Sequence, residues 1–386
     1  MNTSDKAARF TESVIREMTR IFNARGDRLG ANLGQGFPDF PAPLEMKEAA
    51  CRAIMDDINQ YAIPFGSKNV RSAIADKTAL FHPVRPNEDT EITVTCGATE
   101  AMISALLALV NPGEEVIVFE PFYENYGPDA ILSGAKPSFV SLRAPDWHFD
   151  EGELRAAFND RTRAIIINTP NNPTGKVYSR EELNLIAELC QKWNTWAVTD
   201  EIYEHIVYDR EHLSMADLAG MRDRTITISG LSKTYSATGW RIGWIIAPAE
   251  ATAAIRKVHD FLTVGAAAPL QEGAAVALRF PKDYYEAFDD FYRAKRDFTC
   301  EFLQRAGYQF SIPQGAYYVM ADFSSLSNLD DISYAKWLIE EVGVATVPGS
   351  SFVNDPADGR TQTRFCFCKK QETLEKASDL LKIAYG

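Results

Sequence analysis

From residue 91 the sequence alternates short β-rich runs with longer stretches of helical periodicity, a signature that restricts the chain to a layered α/β structure. The runs fall at 92–96, 115–119, 137–142, 163–168, 196–200, 225–229 and 242–247, and helical segments at 99–110, 124–133, 150–159, 179–193 and 249–262. Helical crossovers join parallel strands, so a mostly parallel seven-stranded sheet covered by helices on both faces is expected. Upstream, Val14, Ile15, Met18, Ile21 and Phe22 make a helical stripe over 11–25, Gly34 to Pro43 is irregular, and helical patterns follow at 44–58 and 68–81. Near 270 the pattern changes to a long helical stretch ending about 306, strands at 317–323, 344–347 and 363–368, and a closing helix at 371–384. At ~150 residues per domain, the length suggests two or three lobes. The expectation is a large α/β domain over 46–280 and a smaller α+β domain over 281–386, joined by the N-terminal segment 1–45.

Composition narrows the function classes. Forty Lys and Arg against 53 Asp and Glu leave a net charge of −13, which repels phosphate backbones and argues against nucleic acid as a partner. Apolar runs such as Ile103 to Val110 fall well short of the ~18 residues a membrane span needs. Met1 to Phe10 lacks the apolar stretch of a signal peptide, so a cytoplasmic protein is expected. The six cysteines include no CxxC pair, which points to reduced thiols. Cys366 and Cys368 would share one strand face and serve packing. The five histidines show no metal-ligand spacing, and His259, alone on a helix, reads as an ordinary helix residue. No metal is expected.

In an open parallel sheet, ligands bind outside the carboxyl ends of the strands, so the residues there carry the functional information. No GxGxxG occurs: Gly34-Gln35-Gly36 runs on into Phe37-Pro38-Asp39. Gly97-Ala98-Thr99 ends one run and opens a helix, where backbone N–H groups and a hydroxyl can converge on an anion; by itself it is equally an ordinary turn. Asp200 follows a buried run, where a lone carboxylate needs a cation or an N–H donor, although it could instead cap the next element. Tyr203 lies three residues on. Ser229-Gly230-Leu231-Ser232-Lys233 ends another run, and a lysine there is unusual because lysine is rarely interior. Desolvation and a neighbouring cation, with Arg241 eight residues on, would lower its pKa as a Schiff-base amine requires. With Tyr123 as an aromatic platform and Asn172 in Asn172-Pro173-Thr174-Gly175, these groups together fit pyridoxal 5′-phosphate, which has a phosphate, a flat ring, a phenolic oxygen, a ring nitrogen and an aldehyde.

These residues resemble the class I (fold type I) pyridoxal-phosphate-dependent aminotransferases over essentially the whole chain. Asn32-Leu33-Gly34-Gln35-Gly36-Phe37-Pro38-Asp39-Phe40, Asn168-Thr169-Pro170-Asn171-Asn172-Pro173 and Arg364-Phe365-Cys366-Phe367 resemble in particular the kynurenine aminotransferase/glutamine transaminase K and methionine aminotransferase branch. The resemblance implies that Lys233 bonds the cofactor aldehyde and shuttles the proton. Asp200 would meet the ring nitrogen, Tyr203 and Asn172 the phenolic oxygen, and Tyr123 the ring. The phosphate would be held by the Gly97-Ala98-Thr99 turn and Arg241, with Tyr61 reaching in from the second subunit of a homodimer. Arg364 would grip the substrate carboxylate, with Asn172 beside it and the Gly36 segment closing over. Where the family often has serine three positions before the lysine, this chain has Gly230, with Ser229 and Ser232 alongside. The segment 263–268 is smaller than the aromatic or histidine version of some kynurenine-type members.

Three activities follow as expectations. The first is transfer of an amino group between a neutral amino acid (sulfur-containing, aromatic or glutamine-like) and a 2-oxo acid. A C–S β-lyase and an aspartate-type aminotransferase are the alternatives on the same cofactor. A transcription regulator built on this fold is disfavoured, because no helix-turn-helix stretch precedes residue 11 and the charge is wrong for DNA.

Overall fold

The computed structural model describes residues 4–10, 12–26 and 30–385. All seven expected runs enter one sheet, and a two-residue strand, His148–Phe149, adds an eighth to its edge. In space the order is Ile92–Thr95, Gly243–Ile246, Thr225–Gly230, Trp196–Asp200, Thr162–Asn168, Glu115–Glu120, Lys136–Arg143 and His148–Phe149. The five strands from Thr225–Gly230 to Lys136–Arg143 are mutually parallel. Gly243–Ile246 runs antiparallel to both neighbours, and His148–Phe149 antiparallel to Lys136–Arg143. The sheet is thus mixed and eight-stranded rather than seven-stranded.

Side-chain alternation builds two cores. Ile166, Val198, Ile226 and Ile228 pack with Ala101, Ala105 and Leu106 of helix Ala98–Leu109. On the other face, Ile165, Ile167 and Ala197 meet Leu183, Ile186 and Cys190 of helix Arg180–Trp193. That helix opens on a reciprocal capping box between Ser179 and Glu182, which satisfies two otherwise unpaired backbone donors. Strands buried on both faces end where the helices begin, and this leaves their carboxyl ends facing a crevice.

The remaining strands form an antiparallel sheet in the order Gln309–Phe310, Tyr318–Asp322, Gln362–Cys366 and Val347–Pro348. Ala31–Asn32 pairs in parallel with Val344–Ala345, which ties the N-terminal segment to this part of the molecule. The expected strand 344–347 therefore divides between two sheets. The long helical stretch divides too, into Ala268–Ala277 and Lys282–Arg305, with Pro281 at the break because proline cannot continue a helix across that position. Helix Asp331–Trp337, capped by Asp330, was not expected from the sequence. The first expected helix forms as Val14–Ala24; residue 11, at its predicted start, lies outside the described residues. Cys366 and Cys368 are buried in the core of the small sheet. Among the described residues no helix is long and apolar enough to cross a membrane.

Candidate active site

One cavity opens at the carboxyl ends of the large sheet and is closed by the strand carrying Arg364 and by the 34–37 segment. Its floor is a pair of adjacent strand ends, Asn168 beside Asp200. Asn168 donates to the Asp200 carbonyl at 2.9 Å and accepts from the Asn172 N–H at 2.7 Å, which fixes the turn that presents Asn172. The Asp200 carboxylate accepts from the Tyr126 hydroxyl at 2.7 Å and the Ile202 N–H at 3.2 Å. Burial raises its pKa, and these two donors pull the other way. Asp200 therefore does not act as a helix cap. Tyr126 escaped the sequence reading, although it sits three residues after Tyr123 at the start of helix Tyr126–Ser133, a spacing that brings side chains together.

Lys233 lies in the short helix Leu231–Thr234, directly after strand Thr225–Gly230. Its Nζ donates to the Gly36 carbonyl at 3.0 Å. Burial lowers its pKa to about 8, with Arg364 and Arg241 acting in the same direction and Cys368 and Asp200 against it. Tyr203 shares a 3.0 Å hydrogen bond with the hydroxyl of Tyr318, a second residue the sequence reading missed. Of the two serines near the lysine, Ser232 lines the cavity, whereas Ser229 donates to Glu204 at 3.0 Å. Ser229 belongs to the strand, whose alternation turns it to the face away from the cavity.

Gly97 has φ +86° and ψ 168°, a region that essentially only glycine occupies. A Cβ there would meet Arg241 Nη2 at 2.3 Å, so the missing side chain is what lets the guanidinium lie against the turn. Ala98 and Thr99 follow at the cavity wall, and no side chain caps helix Ala98–Leu109. Its first N–H groups are thus left for an anion.

Arg364 is 1% exposed. Its Nη1 donates to Asn172 Oδ1 and its Nη2 to the Gly34 carbonyl, both at 2.7 Å, while Nε is buried without a hydrogen-bond partner among the described residues. Cations also hold the strap that covers it: Lys369 donates to the Gln35 and Phe37 carbonyls at 3.0 and 2.9 Å. A Cβ on Gly36 would fall 2.1 Å from the Tyr318 hydroxyl, so only glycine allows the strap this close. Tyr123 lines the cavity, and burial pushes its phenol up to about 12. Tyr61 is 88% exposed and does not line this chain's cavity. At the mouth, Ser13 donates to Glu124, and the exposed Arg16 side chain has no partner among the described residues. Arg16 was also missed; nothing in the local sequence distinguishes it from any other cation on a surface helix.

Comparison with known proteins gives the family of the chain. Residues 30–381 match the family described as aminotransferase class I and II. The methionine aminotransferase of Escherichia coli is 38% identical, with 91% of each chain covered. Human kynurenine–oxoglutarate transaminase 3 is 36% identical, covering 91% of this chain and 84% of its own. The solved structure of N-succinyldiaminopimelate aminotransferase from Mycobacterium tuberculosis superposes with a TM-score of 0.95 at 39% identity, over 99% of this chain and all of that one. The chain belongs to the class I and II aminotransferases.

Proposed function

We propose that the cavity binds pyridoxal 5′-phosphate and that the enzyme moves an amino group between a neutral L-amino acid and a 2-oxo acid. The reading extends to a cytoplasmic homodimer in which the partner subunit's Tyr61 completes the site, with 46–280 as the cofactor domain and 1–45 and 281–386 as the smaller one. The observation that carries it is the convergence on one cavity of a lysine amine brought to about 8, a buried carboxylate, and an arginine with a buried, unpartnered Nε.

The donor set fits this group. Asp200 would face the ring nitrogen, Tyr203 and Asn172 the phenolic oxygen, and Tyr123 the ring. Ala98, Thr99, Ser232 and Arg241 would surround the phosphate, with Ser232 rather than Ser229 as the serine involved. When bound, the cofactor supplies an aldehyde that takes up the amino group and a ring that draws electrons from the α-carbon. The protein supplies the rest. With its pKa near 8, Lys233 is neutral in roughly a tenth of molecules at pH 7, so Nζ can act as nucleophile and as carrier of the α-proton. Arg364 is oriented before substrate arrives, because Asn172 and Gly34 already hold two of its nitrogens. Its remaining donors are left for a carboxylate, and the ordering cost of that contact is reduced in advance.

The test is kcat/KM for methionine, phenylalanine, kynurenine, glutamine and aspartate with one common oxo acid. Neutral donors should exceed aspartate, and aspartate as the best donor would overturn the reading. Ammonia and pyruvate release without an oxo acid measures the β-lyase alternative.

A second reading has its own observation. Arg16, at the mouth and without a side-chain partner among the described residues, favours a substrate with a carboxylate far from its α-carbon, as the name of the Mycobacterium tuberculosis relative also suggests. Arg16→Ala should then lower kcat/KM for 2-oxoglutarate but not for pyruvate as acceptor. An equal effect on both would remove Arg16 from substrate recognition.

A further inference from the structure

Beneath the anion-binding turn lies a buried ion pair that the mechanism above does not use. Glu100, in the first turn of helix Ala98–Leu109, is buried. Its carboxylate accepts from the Cys96 N–H at 3.0 Å and from the Ser104 hydroxyl. His259 is fully buried, with Nδ1 at 2.9 and 3.1 Å from the two Glu100 oxygens and Nε2 at 2.9 Å from the Pro64 carbonyl. A carbonyl can only accept, so Nε2 carries hydrogen. The two Glu100 oxygens already accept from the Cys96 N–H and the Ser104 hydroxyl, so the hydrogen between Glu100 and His259 is assigned to Nδ1. The pair is therefore an imidazolium against a carboxylate. Burial opposes the charge on His259, but Glu100, the Pro64 carbonyl and Asp260 together more than offset it and raise the pKa.

The location is what makes this pair informative. Glu100 places a full negative charge in the first turn of the helix whose N-terminus faces the cavity, where it opposes any incoming anion. The same carboxylate holds the Cys96 N–H, and with it the turn whose Cys96 carbonyl accepts from Arg241 Nη2 at 3.5 Å. Shape and charge thus conflict at this residue. A cation below the turn resolves the conflict: it leaves the hydrogen bonds of Glu100 in place and cancels its field. The turn is also packed closely on strand Gly243–Ile246, where a Cβ on Gly243 would lie 2.5 Å from the Gly97 carbonyl carbon.

We propose that His259 is a positioning residue for cofactor phosphate, neutralising Glu100 so that the Gly97–Thr99 turn keeps its geometry and still accepts an anion. The proposal rests on the reading of that turn and Arg241 as the phosphate site. Its consequence is selective: loss of His259 should weaken ligands that carry the phosphate and spare those that lack it.

The experiment measures Kd of the apoenzyme for pyridoxal 5′-phosphate and for pyridoxal, in wild type, His259→Gln, Glu100→Gln, the double variant and Arg241→Ala. His259→Gln should weaken pyridoxal 5′-phosphate roughly 5- to 30-fold and leave pyridoxal unchanged. Adding Glu100→Gln to His259→Gln should restore most of the phosphate preference, since the uncompensated charge is then gone. Equal weakening of both ligands, or no rescue in the double variant, overturns the proposal. If His259→Gln does not fold, Glu100→Gln alone decides: its phosphate preference should equal or exceed that of wild type, and a fall overturns the proposal. Arg241→Ala separates the two levels. If it leaves the phosphate preference intact, the phosphate-site reading itself fails; if it abolishes the preference while His259→Gln does not, only the role of His259 fails.

Discussion

Tyr126→Phe removes one oxygen atom and tests how the protein sets the charge of Asp200. The hydroxyl donates to Asp200 Oδ2 at 2.7 Å, and the two residues are 3% and 8% exposed, so water can reach the place of the lost donor only through the cavity that both line. A hydrogen bond to a charged acceptor contributes about 1.5–3 kcal/mol. At 1.36 kcal/mol per pKa unit, its loss should raise the Asp200 pKa by roughly 1–2 units. The carboxyl is already raised by burial, and the remaining donor is the Ile202 N–H. With Asp200 in its proposed place at the ring nitrogen, the loaded enzyme needs it ionised, so activity should be lost as pH falls through its pKa. The acid limb of kcat/KM should therefore move to higher pH in the variant, while the alkaline limb stays. Stability gives an independent reading. A raised carboxylate pKa costs the folded state nothing at low pH, and the cost grows as pH rises above the ordinary carboxylate range. The deficit of apo Tyr126→Phe against wild type, measured by urea unfolding, should accordingly widen from pH 4 to pH 8. An acid limb that does not move, with a deficit independent of pH, would refute the assignment of Tyr126 as the donor that keeps Asp200 ionised.

Lys233→Ala should retain cofactor through the phosphate contacts and lose at least ~10²–10⁴-fold in turnover; borohydride reduction of the wild type should label Lys233, and a label on Lys176 or Lys257 would refute the role. Arg364→Ala should cost about 2–5 kcal/mol in kcat/KM for every amino acid tested, and Arg364→Lys should recover only part of it, because lysine lacks the planar fork. Gly97→Ala forces a region of backbone space that costs about 1–3 kcal/mol and displaces Arg241; weaker retention of pyridoxal 5′-phosphate on dialysis, with pyridoxal affinity little changed, is the expected result.

Local pattern made much of this protein readable in advance. The seven β-rich runs, the helices between them and the residues at strand ends follow from periodicity, because a strand or helix must bury a face whatever it packs against. Asp200 and Lys233 stood out for the same reason: charged groups beside apolar runs need an explanation that their own neighbours do not supply; Arg241 was read from its place eight residues after Lys233. The family motif, not periodicity, pointed to Arg364. Tertiary structure alone decided what each group touches. Arg364 meets Asn172 and Gly34, Lys233 meets Gly36, and His259 meets Glu100 and Pro64, pairs separated by more than 150 residues. The antiparallel insertion of Gly243–Ile246 between two strands belongs to the same class, as does the pairing of Ser229 with Glu204. Periodicity records which positions leave water. It carries no record of which distant donor meets a buried acceptor, and that pairing bears on the charge of Asp200 and the protonation of His259, while burial in the assembled cavity lowers the pKa of Lys233.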